Sequence, residues 1–87
     1  MFVINFKSLT NKQKIYGVCR GNDYEGFGIS NPMFRLKTDA LMKCNALARK
    51  YNEESDMNYQ LLNNDRYDNG WWRDGADYIH VIEYDLI

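Results

Sequence analysis

Thr38-Asp39-Ala40-Leu41-Met42-Lys43-Cys44-Asn45-Ala46-Leu47-Ala48-Arg49-Lys50-Tyr51-Asn52 is the stretch that sets the fold. Ala40, Leu41, Cys44, Leu47, Ala48 and Tyr51 recur at three- and four-residue spacing, which puts them on one stripe of an α-helix. Lys43, Ala46, Arg49 and Lys50 fall on or near the opposite side. Thr38 stands where an N-cap belongs, and Leu41 three residues on rules out a capping box. Asp39 near the start and Arg49 and Lys50 near the end suit the helix dipole. The spacing therefore predicts a helix over 38–52 with one packed side and one basic side.

Outward from the helix the chain reads as strands and turns. Phe2-Val3-Ile4-Asn5-Phe6 is a β-type run, followed by a polar loop at 8–13. Lys14-Ile15-Tyr16-Gly17-Val18-Cys19-Arg20 reads as a second strand, with Gly17 weakening it or marking a bulge. Gly21-Asn22-Asp23 signals a turn into a short strand at 24–30, which Asn31-Pro32 should end. Beyond the helix, Glu53-Glu54-Ser55-Asp56 reads as an acidic loop and 59–63 as a strand. Residues 64–77 are dense in turn formers and read as a loop or wide hairpin connection. The longest strand is 78–86, with Ile79 and Val81 on one face and Tyr78, Ile82, Tyr84 and Leu86 on the other. The expected fold is an α+β, two-layer single domain over 1–87: an antiparallel sheet of four to five strands, covered on one face by one amphipathic helix. A chain of 87 residues buries about 60–65% of its unfolded surface and leaves little room for a deep catalytic cleft.

Charge is sorted along the chain. Residues 1–50 hold nine Lys/Arg and three Asp/Glu, whereas 51–87 hold two Lys/Arg and nine Asp/Glu. Such asymmetry points to electrostatic contact, between the halves or with a partner. Apolar residues make up 45% and aromatic residues 15% of the chain, enough for a globular core. No run approaches the ~20 apolar residues of a membrane span, and the apolar start at Met1 is too short for a secretory signal. A cytoplasmic location follows, with Cys19 and Cys44 as free buried thiols.

Two surfaces are candidates. In the acidic–aromatic segment, Tyr67, Asp68, Trp71, Trp72, Arg73 and Asp74 combine the Trp, Tyr and Arg of a protein-binding hot spot. Adjacent tryptophans in extended backbone cannot both face inward, so one should pack the core while the other is partly exposed. Replacing Trp72 and Asp74 by Ala should then abolish partner binding and leave the fold intact. In the basic half, Lys14, Arg20, Lys43, Arg49 and Lys50 beside Phe6, Tyr16, Tyr24 or Phe27 would suit single-stranded RNA or DNA. A pI near 5.7 speaks against the usual nucleic-acid module.

Other chemistry is poorly supplied. Gly21, Gly26 and Gly28 lack the Lys-Ser/Thr of a P-loop and open no helix. The Asp65-to-Gly70 run misses two ligand positions of a calcium loop. His80 is the one histidine; a pair with Cys19 or Cys44 lacks an orienting group. No cofactor, metal or enzymatic activity is expected. Ten Asn, with frequent Lys and Tyr, resemble the composition of small proteins from low-GC bacteriophages, and no particular family. The reading is a small binding protein that occludes a larger protein or nucleoprotein, with a host-takeover or anti-defence inhibitor as one form. The alternative is a single-stranded nucleic-acid module. A third reading is homo-oligomerisation, basic half against acidic half.

Overall fold

A computed structural model describes residues 13–62 and 70–86. The expectations for residues 1–12, for Tyr67 and Asp68, and for the calcium-like run before Gly70 lie outside them. Among the described residues five strands and one helix follow in the order β1 (Gln13–Asn22), β2 (Gly26–Phe34), α1 (Lys37–Glu54), β3 (Gln60–Leu61), β4 (Trp72–Asp74) and β5 (Asp77–Leu86). The sheet order is β2-β1-β5-β4-β3, and every neighbouring pair is antiparallel. The α+β sandwich expected from the sequence is the architecture found.

The core lies between α1 and the centre of the sheet. Val18 of β1 and Ile79 and Val81 of β5 meet Ala40, Cys44 and Ala48 of the helix, all buried. Small residues on the helix let its axis approach the β-branched side chains closely, as dense interiors require. Tyr16, Phe34, Leu41, Leu47, Tyr51, Met57 and Trp72 pack around this centre. β1 and β5 pair from Gln13↔Leu86 to Asn22↔Asp77, so the C-terminal strand is central.

Several boundaries differ from expectation for local physical reasons. The helix begins at Lys37, and the capping position is held by Leu36, without a side-chain hydrogen bond. Thr38 lies inside the first turn. At the other end Glu53 and Glu54, good helix formers, extend the helix rather than forming a loop, although they oppose its dipole. Ser55 N–H closes that end on Tyr51 O at 2.9 Å. Asn52 then fastens the exit: its Nδ2 donates to Tyr59 O at 3.0 Å and its Oδ1 accepts from Tyr59 N–H at 2.7 Å.

Asn31-Pro32 does not end β2. Between the pairs Val18↔Ser30 and Tyr16↔Phe34, β1 spends one residue, Gly17, against three of β2. Pro32 sits in this bulge, where the ladder needs no N–H from it. A Cβ at Gly17 would lie 2.7 Å from Met33 Sδ, so the bare glycine accommodates the bulge. The β1–β2 turn falls at 23–25, two residues later than expected; Asn22 Oδ1 accepts the Tyr24 N–H at 2.8 Å and Gly26 adopts φ +89°. The region 64–77 is not wholly a loop. Trp72–Asp74 forms β4, joined to β5 by a two-residue turn in which Gly75 takes φ +60°, the position a tight hairpin reserves for glycine. The strand expected at 59–63 is reduced to Gln60–Leu61, prolonged by one bond from Leu62 N–H to Trp71 O.

Candidate protein-binding face

Alternation along β5 and β4 sorts two chemistries onto two faces. Ile79 and Val81 point to the helix, and Asp77, Glu83 and Asp85 share their side, as does Asp74, the register partner of Asp77. Tyr78, His80, Ile82 and Tyr84 take the side turned away from α1. The acidic residues of these strands are thus withheld from the open face.

Trp71 and Trp72 divide in the same way. Trp72 packs against the core, and its Nε1–H donates to Asn45 Oδ1 at 2.9 Å. Trp71 lies over the open face, stacked on His80 with centroids 3.7 Å apart and planes 8° from parallel. Tyr78 completes the group, 5.4 Å from Trp71 and 5.6 Å from His80. Arg73 leans over Trp71 and Tyr78 at 5.7 and 5.4 Å. Its guanidinium grips Asp23 through two bonds of 3.0 and 3.1 Å and reaches Gly75 O at 3.0 Å. That grip ties the β1–β2 turn to the β4–β5 turn and holds the Asp23 carboxyl below its usual range.

His80 Nδ1 lies 2.9 Å from Val81 O, so Nδ1–H is the donor and Nε2 stays unprotonated in the neutral ring. Burial lowers its pKa; the Val81 bond opposes that and the Arg73 charge adds to it. Cys19 is the cross-strand partner of His80, which brings together the pair the sequence raised as a nucleophile. Burial pushes the Cys19 thiol up to about 11 and leaves it 1% exposed, the reverse of what activates a thiol. Cys44, buried beneath the helix, is pushed up to about 12, and both thiols are free. Outward from the rings the face continues through Tyr84 on β5 and through Ile29 and Phe27 on β2, exposed by 39%, 38% and 58%.

The remaining candidates scatter. Asp74 accepts the Asn58 N–H at 3.0 Å and organises the loop before β3. Replacing Trp72 and Asp74 would therefore disturb the core and this loop, contrary to the expectation of an intact fold. Lys14 is engaged by Glu83 at 3.1 Å and Asp85 at 3.9 Å, and the Arg20 guanidinium lies 4.2 Å above the Tyr51 ring. A polar recess of about 170 Å³ beside Arg20 is also lined by Glu25 and Asp77, a mixture that favours no polyanion. Lys43, Arg49 and Lys50 are exposed on the outer side of α1, across the sheet from the aromatic face. Because β1 and β5 are neighbours, the basic and acidic halves partly neutralise each other. Lys37 joins in, 4.0 Å from Glu83. Tyr84 and Ile29 were not singled out from the sequence, Tyr78 counted only as part of the acidic–aromatic segment, and Phe27 and His80 were raised only for stacking of bases and for a nucleophile pair. The period-two pattern of 78–86 was the signal that could have found them.

No family model, curated protein or solved structure matches the chain. Among the described residues no helix is long and apolar enough to cross a membrane.

Proposed function

We propose that this protein is a small non-catalytic binding module that covers a surface of a larger protein through the face of its sheet turned away from α1. The observation that carries the reading is the exposure of Phe27, Ile29 and Tyr84 on the same face as the Trp71–Tyr78–His80 group, a face whose described strands bear no carboxylate. Exposed apolar and aromatic side chains gathered on one face mark interaction sites. Aromatic rings held by packing, with an Arg already oriented by Asp23, lose little entropy on binding and suit hot spots. Trp71 and Arg73 keep the role expected of them; Trp72 and Asp74 become their structural support. Occlusion by shape is the mechanism this face suits.

The nucleic-acid alternative needs cations beside stacking rings. Here the exposed cations of α1 and the rings lie on opposite sides of the sheet, and Lys14 is held by Glu83.

Affinity capture from the source cell, with and without nuclease, tests the reading. Wild type should retain a nuclease-resistant protein, and a Trp71→Ala/Tyr84→Ala variant with unchanged far-UV spectrum should lose it. Equal capture by the variant, or capture that vanishes on nuclease treatment, overturns the reading.

A further inference from the structure

β2 is the last strand of the sheet among the described residues, and Gly26, Phe27, Gly28 and Ile29 are all exposed. Terminal strands are normally guarded by lysines, prolines or bulges, because their outer N–H and C=O groups invite another strand. β2 contains no charged residue. Its guards, Pro32 and the bulge opposite Gly17, protect only the second half. Among the described residues nothing guards Gly26-Phe27-Gly28-Ile29-Ser30. Phe27 and Ile29 project on the open face, whereas Gly28, the partner of Arg20, lies on the helix side, where an added Cβ would meet nothing within 4 Å.

We propose that this edge pairs antiparallel with the same strand of a second copy, about a twofold axis passing beside Gly28. The register is self-complementary. Phe27 stands opposite Ile29 of the second copy, twice by symmetry, and this is an aromatic–β-branched pair of the kind that stabilises antiparallel strands. Gly28 faces Gly28, and Gly26 faces Ser30, so no bulk collides on the helix side and no like charges meet. The interface is isologous and closes at two copies. It joins two five-stranded sheets into one and sets the two aromatic faces side by side. It differs from docking of the basic half on the acidic half, which salt would weaken. The dimer does not rest on the binding function proposed above, and the Trp71→Ala/Tyr84→Ala variant leaves this edge untouched.

Sedimentation equilibrium should give twice the chain mass of 10.3 kDa, unchanged between low and high salt. Phe27→Lys/Ile29→Lys should be a folded monomer, since both side chains are exposed. Under mild oxidation Gly28→Cys should form a disulfide-linked dimer, whereas Tyr24→Cys, at a position 87% exposed in the turn, should not. The inference is overturned by a monomeric wild type at every attainable concentration, by a dimer that survives the double lysine variant, or by cross-linking of the Tyr24→Cys variant in place of the Gly28→Cys variant.

Discussion

Burial favours the neutral form of His80, and this makes the stability of the protein depend on pH in a defined direction. Its folded pKa lies below the ordinary 6.5, chiefly through burial. Between the two values the unfolded chain binds the extra proton and the folded chain does not. This contribution is therefore fully present above 6.5 and is lost as pH falls through that window. The urea midpoint should drop between neutral pH and about pH 5. His80→Phe, which keeps an aromatic surface for Trp71, should flatten that part of the profile. The same slope in wild type and variant would separate the pH response from His80. Carboxylates such as Asp23, with a lowered pKa, govern the loss at lower pH.

At the scale of the element, the exit of α1 is fixed by one side chain that imitates a strand. Asn52 offers an acceptor and a donor to the backbone of Tyr59 and is satisfied by both. The turn it controls places Tyr59 over the core, where it is 3% exposed, and starts β3. Asn52→Ala leaves a half-buried N–H and C=O unpaired. It should cost about 1–3 kcal/mol in denaturant unfolding, with the slope against denaturant unchanged. Asn52→Asp keeps the acceptor but sets a carboxylate oxygen against the Tyr59 carbonyl at the negative end of the helix, so it should not restore the lost stability. An Ala variant as stable as wild type would show that the helix end and β3 are held by packing alone.

At the scale of the whole molecule, two faces of one sheet have opposite duties. The helix side holds the core and, at its margin, the carboxylates that meet Lys14 and Lys37. The open side holds the aromatic group. An oligonucleotide that stacks on the rings would find the basic side chains of α1 out of reach. Fluorescence anisotropy with a labelled single-stranded oligonucleotide should therefore give at most salt-sensitive, non-specific binding, with no quenching of tryptophan emission. Replacing Lys43, Arg49 and Lys50 by Gln should leave protein capture unchanged. Tight binding that quenches Trp71 would reverse this assignment and restore the nucleic-acid reading.

Local periodicity was sufficient for the helix stripe from Ala40 to Tyr51, for the alternation of 78–86, and for the rule that Trp71 and Trp72 must face opposite ways. Each depends only on the geometry of a short stretch of backbone. Strand pairing was beyond reach of that reading, because the bulge that sets Gly17 against three residues of β2, and that accommodates Asn31-Pro32, exists only once the two strands are paired. The same holds for charge. Segregation of Lys/Arg from Asp/Glu is a property of the chain, but the antiparallel union of β1 with β5 sets Lys14 beside Glu83 and removes much of it. The order of residues alone dictates which side chains share a face. Which of the two faces the helix covers was settled by folding, since that choice depends on contacts between segments far apart in the chain.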